Sequence, residues 1–168
     1  MRKQKGFSLI ELLIVVAIIL IIAAIAIPNL LRAKIAANES SAAASVRTVV
    51  TANIEYSTSY PAVGYPTAMT ALGPAAATGC TTPSSTNACI VDFVLAQGTK
   101  SGYLVTSVGS QPVGGANTQF VAAALPQTPN TTGVKGFCAA EDGVVRSENP
   151  GTASESGHDS CLGIKAMQ

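Results

Sequence analysis

One carboxylate, Glu11, lies where a charge is costly. It sits inside a predominantly apolar run from Phe7 to Leu31, directly behind the basic stretch Met1 to Gly6. A charged side chain in a membrane-spanning helix costs roughly 2.5 to 3.5 kcal/mol at the helix centre and less toward the interface, and such residues usually have a functional partner. We therefore expect a cation to pair with Glu11.

Four cysteines, Cys80, Cys89, Cys138 and Cys161, all follow the apolar run. An even number of cysteines in an exported domain is typical of disulfides, and four cysteines allow three connectivities. We favour Cys80 with Cys89, which closes a short turn-forming loop, and Cys138 with Cys161, which ties down the carboxyl-terminal tail. A zinc site is the alternative, but no Cys-x-x-Cys occurs and His158 is the only histidine.

The remaining reactive residues do not predict an enzyme. His158, Asp159 and Ser160 are consecutive, so they cannot surround one reacting atom as base, orienter and nucleophile. Acidic residues near the carboxyl end could suggest calcium, but they lack EF-hand spacing and a solvated loop is expected. These acidic residues are Glu141, Asp142, Glu148, Glu155 and Asp159. We expect no catalytic residue, no metal and no cofactor.

The element that must position Glu11 is the apolar run itself. It exceeds the roughly 20 residues that cross a bilayer as a helix, and the basic residues before it hold the amino end in the cytoplasm. The bulk of the chain should then lie outside the cytoplasm, in agreement with the cysteines. Removing Met1 to Gly6 takes three of the 10 basic residues, which leaves 7 against 9 acidic residues and a net charge of −2. Such a balance does not favour a nucleic-acid surface.

A long helix is predicted to continue past the apolar run. The stretch 32–59 contains neither Gly nor Pro, and its apolar residues recur at spacings of three and four. We expect one helix from about Ser8 to Ser59, ended by Tyr60-Pro61 and kinked or locally unwound at Pro28. The helical face expected to meet the core carries Ala43, Val46, Val50 and Ile54.

Strand signals follow a loop-rich stretch that contains one short turn at Met69 to Leu72. Short β-favouring runs are bounded by Gly, Pro, Asn or Ser, and a hairpin is expected to fold at Glu141-Asp142-Gly143. Their order predicts an antiparallel meander with one face on the helix, an α+β fold in two layers. The expected strands are Ile90 to Ala96, Tyr103 to Val108, Phe120 to Leu125 and the hairpin Lys135 to Arg146, followed by a surface loop from Ser147 to Gly157.

Two processing schemes fit this amino terminus. A secretory signal would be cut after Ala26, where Ala24-Ile25-Ala26 supplies an Ala-x-Ala site. However, the apolar run is longer than a signal's usual 7 to 15 residues, and Glu11 would have no role in a discarded segment. The alternative is cleavage on the cytoplasmic side, between Gly6 and Phe7.

The segment from Lys5 to Glu11 resembles the prepilin peptidase site of type IV pilins and pseudopilins. Gly6 before the cut, Phe7 after it, Glu11 at the fifth mature position and Pro28 further along all match that family's pattern. The resemblance implies cleavage between Gly6 and Phe7, N-methylation of Phe7, and pairing of its new amine with Glu11 of a neighbouring subunit. It covers about Met1 to Ser59 closely and the remainder in architecture.

We interpret the chain as a leader (1–6), a transmembrane half-helix (7–31), an amphipathic half-helix (32–59) and a head (60–168). The resemblance implies a structural subunit of a type IV pilus, a filament used in adhesion, motility or DNA uptake. Its implied partners are copies of itself, prepilin peptidase and an inner-membrane assembly platform. Its implied locations are the bacterial inner membrane and then the extracellular pilus. A minor pilin, a pseudopilin of a type II secretion system and a membrane-tethered domain that never polymerises are the alternatives.

Overall fold

The first element, α1, is a helix of 51 residues, Leu9–Ser59. The computed structural model describes residues 8–80, 82–151 and 157–167, so the predicted cleavage site at Gly6 and Phe7 lies outside the described residues. As predicted, α1 is one long helix, and it ends just before Tyr60-Pro61, because a residue preceding proline is pushed away from helical angles. Helical structure continues through Pro28, and the expected local unwinding is not present there.

The chain divides into two compact units, Met1–Lys34 and Ile35–Gln168. We call the first the amino-terminal unit and the second the head unit. The amino-terminal unit contains the apolar part of α1. The head unit contains the remainder of α1 and every later element.

The head unit is built on a five-stranded antiparallel sheet in which the strands follow one another in chain order. This arrangement confirms the predicted meander and the α+β fold. Gly114 and Gly115, both with positive φ, form the turn between β2 and β3, since the tight hairpin turn needs positive φ at its central residues. The strands are β1 (Thr99–Lys100), β2 (Tyr103–Val113), β3 (Ala116–Pro126), β4 (Gly136–Ala140) and β5 (Arg146–Glu148).

The predicted strand at Ile90 to Ala96 was wrong, because residues Phe93–Ala96 form a short helix, α2. The Asp92 side chain accepts a hydrogen bond from the Leu95 backbone N–H at 2.9 Å, so it caps the first turn. A capping residue of this kind outweighs the β-favouring side chains around it. The predicted turn at Met69 to Leu72 is a 3₁₀ helix, Met69–Leu72.

The carboxyl-terminal region also differs from expectation. The predicted loop from Ser147 to Gly157 begins within β5, which pairs with β4 from Cys138 to Gly136. A short helix that the sequence did not predict, α3 (His158–Leu162), follows. Residues 152–156, including Glu155, lie outside the described residues.

The main core lies between α1 and one face of the sheet. Nine α1 residues from Ala42 to Tyr56 are buried, and all of them except Ser45 and Asn53 belong to a cluster with residues such as Tyr103, Phe120 and Phe137. Ala43, Val46 and Val50 are buried as predicted, but Ile54 is 47% exposed. Periodicity misplaced the face because Asn53 and Tyr56, both polar, occupy core positions and have hydrogen-bond partners there.

A smaller core lies on the other face of the sheet. It consists of Val121, Ala123, Cys138 and Cys161, with Ile164 packed against it. Because β3 is covered on both faces, its residues from Phe120 to Ala124 are all buried. This explains why they form a continuous apolar run rather than an alternating one.

Candidate assembly site

Glu11 lies in the first turn of α1, and its carboxylate has a partner within its own chain. The backbone N–H of Ser8 donates a hydrogen bond to Glu11 Oε2 at 2.9 Å. Ser8 precedes the first helical residue, so this contact is one half of a capping box, in which a Glu three residues after the N-cap reaches back to it. The carboxylate also lies at the positive end of the helix dipole, which favours an anion by about 0.3–1 kcal/mol.

Sequence reasoning missed the role of Ser8 at this site. The signal was present, because Ser8-Leu9-Ile10-Glu11 has the Ser-x-x-Glu spacing of a capping box just before an apolar run. The structure thus gives Glu11 a helix-starting role. This role is compatible with pairing to another chain, since a carboxylate accepts several hydrogen bonds.

The apolar part of α1 is exposed along its length. Large apolar side chains from Leu9 to Leu31 are 44–79% exposed. The helix is long and apolar enough to cross a membrane, with a mean hydropathy of 3.3 in its most apolar window, and none of that window is buried within the chain. An apolar surface of this extent needs a lipid or protein environment.

Pro28 changes the hydrogen bonding of α1 locally. It has no N–H, so the carbonyl of Ala24, four residues earlier, lacks its usual helical donor. The side-chain amide of Asn29 donates to the carbonyl of Ile25 at 3.0 Å. The helix is therefore intact around Pro28 with one fewer backbone hydrogen bond than a regular turn.

The four cysteines form two disulfides, Cys80–Cys89 and Cys138–Cys161. Cys80 is exposed in the loop after the 3₁₀ helix, whereas Cys138 and Cys161 are fully buried. The second disulfide joins β4 to α3 and fills the smaller core. Both pairs correspond to the connectivity that the sequence favoured.

Two adjacent polar residues of α1 hold the loop before β4. The Asn38 side-chain amide donates to the Thr132 carbonyl at 2.8 Å. Glu39 Oε1 accepts from the backbone N–H groups of Val134 at 3.0 Å and Lys135 at 3.2 Å. Burial, followed by the charge of Glu39, raises the pKa of Tyr103 to about 12. These contacts fix the start of β4 on the helix, and nothing in the spacing of the sequence indicated them.

His158 bridges two carboxylates. Its Nε2 lies 2.9 Å from Glu141 Oε1, and its Nδ1 lies 2.9 Å from Asp159 Oδ1. The hydrogen bond to Asp159, followed by that to Glu141, raises the pKa of His158, although burial opposes them. The bridge ties α3 to the turn between β4 and β5.

Three of the acidic residues considered for calcium contact other side chains. Asp142 forms an ion pair with Arg146. The hydrogen bond that the Arg146 side chain donates lowers the pKa of Asp142. Glu141 and Asp159 contact His158 through its two different ring nitrogens. Within residues 8–80, 82–151 and 157–167, no group of three or more His, Cys, Asp or Glu side chains is arranged to hold a metal ion.

Comparison with known proteins finds a family motif at the amino terminus and two similar pilus proteins. A family model described as the prokaryotic N-terminal methylation motif matches residues 1–27. The chain is 65% identical over 40 residues to the type IV wide pilus major component PilA4 of Thermus thermophilus, covering 24% of this chain and 30% of that protein. It is 48% identical over 50 residues to the type IV major pilin protein PilA of Myxococcus xanthus, covering 30% of this chain and 23% of that protein.

These matches therefore span less than a third of either curated relative. No solved structure matches the chain significantly.

Proposed function

We infer from the methylation motif and from the similarity to two major pilins that this chain is a type IV pilin, the structural subunit of a surface filament. The proposal extends a local similarity to the whole chain. Both similar proteins are named as major pilus components, so a secretion pseudopilin is not favoured. In this proposal the chain performs no catalysis.

The observation that carries the proposal is the exposed apolar length of α1, whose first turn contains the carboxylate that caps the helix. Before assembly, the membrane covers the segment from Leu9 to Leu31. After assembly, the same segments of neighbouring copies cover one another, and small residues such as Ala23, Ala24 and Ala26 allow close approach. The exposed apolar surface is then covered by lipid before assembly and by neighbouring copies after it.

Processing completes the site. Prepilin peptidase cuts between Gly6 and Phe7 in this proposal, and the new amine of Phe7 is N-methylated. The amine pairs with Glu11 of a neighbouring copy, because an opposite charge in a low dielectric favours the ionised carboxylate and offsets its desolvation. An inner-membrane assembly platform then adds subunits to a pilus that extends outside the cell, with the head unit at its surface.

Substitution of Glu11 separates its two roles. Glu11→Gln keeps an oxygen that can accept the Ser8 N–H but removes the charge, whereas Glu11→Ala removes both. We expect both variants to insert into the inner membrane, because replacing a charge lowers the insertion cost, and both to lose filaments. Insertion is measured by alkaline extraction of membranes, and filaments are measured by shearing and electron microscopy.

The glutamine variant is decisive for the mechanism. Wild-type filament yield from Glu11→Gln, with loss only in Glu11→Ala, would mean that helix capping suffices and would refute the ion pair. Normal filaments from both variants would refute the assembly role of Glu11 altogether.

A further inference from the structure

The part of α1 in the head unit has an outer face that no other element covers among residues 8–80, 82–151 and 157–167. Its residues recur at spacings of three and four on the side opposite the buried residues. All are exposed, although their neighbours one or two positions away are buried against the sheet. We define this outer face by Ala44, Arg47, Thr48, Thr51, Glu55 and Thr58.

The threonine hydroxyls of the outer face already have hydrogen-bond partners within the helix. The hydroxyls of Thr48, Thr51 and Thr58 each donate to a helix carbonyl four residues earlier, at 3.1, 3.2 and 2.9 Å. Their donors are therefore used within the helix. Arg47 and Glu55 are its only charged residues, and the ion pairs among the described residues all lie elsewhere in the head unit.

These two charges are opposite in sign and too far apart to meet in one helix. They are eight positions apart in the sequence, which corresponds to about 12 Å along the axis. Two parallel copies of α1 displaced along the axis by about that distance bring Glu55 of one copy beside Arg47 of the next. The outer face is thus complementary to itself under an axial displacement.

This displacement has the same direction as the one that the proposed pairing of Glu11 with the Phe7 amine of a neighbouring copy requires. Glu11 lies four positions after Phe7, or about 6 Å along a helix, and in both pairs the carboxylate is on the carboxyl-terminal side of the cation. Arg and Glu side chains each extend several ångströms from the axis. One displacement between roughly 6 and 12 Å therefore suits both ion pairs.

We propose that the outer face of α1 is an interface between copies of this chain, in which Arg47 of one copy pairs with Glu55 of its neighbour. The occupant is a second copy because the face is complementary to itself in charge and continues the apolar helix proposed to form the filament. This inference rests on the proposed function and adds to it a second ion pair that fixes the same axial displacement. A complementary pair at an interface fixes register, because the wrong register brings like charges together or leaves charges unpaired.

Charge reversal in the full chain, expressed in its host, tests the pair. Arg47→Glu places two carboxylates together at the interface, and Glu55→Arg places two guanidinium groups together. We expect each to lower the yield of sheared filaments by about tenfold or more, because juxtaposed like charges are strongly unfavourable. The double variant R47E/E55R restores opposite charges, and we expect its yield to return to within about threefold of wild type.

A matched control changes charges away from the outer face. Lys165 is an exposed residue of the head unit in the segment that follows α3. The variant Lys165→Glu should assemble like wild type. Thermal unfolding of all variants in detergent should be unchanged, because surface charges contribute little to stability.

The outcomes separate this inference from the proposed function. Wild-type yield from Arg47→Glu or Glu55→Arg, or two defective single variants that the double variant does not rescue, would overturn the pair while leaving the pilin intact. Absence of filaments from the wild-type chain would overturn both. Restored filament yield in the double variant, together with loss of filaments in the Glu11 variants, would support both the Arg47–Glu55 pair and the proposed function.

Discussion

At the scale of single residues, the ionised Glu11 side chain is stabilised by contacts within its own helix, but these contributions are small. The Ser8 hydrogen bond and the helix dipole together contribute on the order of 1 kcal/mol. A charge at the centre of a membrane span costs roughly 2.5 to 3.5 kcal/mol. This cost falls toward the membrane interface, and in the proposed filament a cation from a neighbouring copy would offset what remains of it.

His158 makes the stability of the head unit depend on pH. Its pKa is raised in the folded chain by Asp159 and then Glu141, so its contribution is complete below the unfolded pKa of about 6.5 and is lost as pH rises through the folded pKa. We expect the melting temperature of wild type to exceed that of His158→Gln most at about pH 5 to 6. Thermal unfolding of the full chain in detergent at a series of pH values measures this difference.

Asp142 supplies the control for His158. Arg146 lowers the folded pKa of Asp142, so the contribution of Asp142 is lost only as pH falls below its unfolded pKa of about 3.9. The difference between wild type and Asp142→Asn should stay constant from about pH 6 to 9. A His158→Gln difference that is equally constant, or that grows with pH, would contradict the carboxylate bridge.

At the scale of elements, a buried polar pair joins α1 to β2. The Asn53 side-chain amide donates to the Val49 carbonyl at 2.8 Å and to Ser107 Oγ at 2.9 Å, and both side chains are buried. Asn53→Leu leaves the Ser107 hydroxyl without its partner, so we expect a loss of about 1–3 kcal/mol in the free energy of unfolding. Urea unfolding of the full chain in detergent measures this loss.

The double variant of this pair tests coupling. Ser107→Ala removes the hydroxyl that Asn53→Leu leaves unpaired, so N53L/S107A should lose less than the sum of the two single changes. Additive losses would show that the two side chains do not stabilise each other.

The two disulfides should differ in their contributions to stability. Their cysteines are separated by 23 and 9 residues, for which chain entropy predicts about 3.4 and about 2.6 kcal/mol. Cys138–Cys161 also fills the smaller core, so replacing both of its cysteines by Ala adds a cavity cost. We expect C138A/C161A to lower the free energy of unfolding more than C80A/C89A does, by urea unfolding. An equal or reversed order would contradict the packing role of the buried disulfide.

The sequence predicted the elements whose signals are long or local. The length of α1, its end before Pro61, the short turn at Met69 to Leu72 and the order of the meander all follow from propensity and turn chemistry. It failed at Phe93–Ala96, where one capping side chain decided between strand and helix, and at Ile54, where Asn53 took the core position. The bridge from His158 to Glu141 spans 17 positions and two elements, so it required the tertiary structure.

At the scale of the whole molecule, the two units have contrasting surfaces. The amino-terminal unit exposes apolar side chains along α1, whereas the head unit has two cores of its own and both disulfides. The amino-terminal unit therefore needs lipid or protein around it, whereas the head unit can be exposed to water. The proposed filament satisfies both requirements, because copies of the apolar helix cover one another while the head units remain outside.

The most direct test of the pilin account is the mass of this chain recovered from sheared surface filaments. The account predicts a polypeptide that begins at Phe7, carries one methyl group on its amine and contains two intact disulfides. Amino-terminal peptides identified by tandem mass spectrometry locate the methyl group. A chain that begins at Ile27, or one found only as a secreted or membrane-bound monomer and never in filaments, would contradict the account.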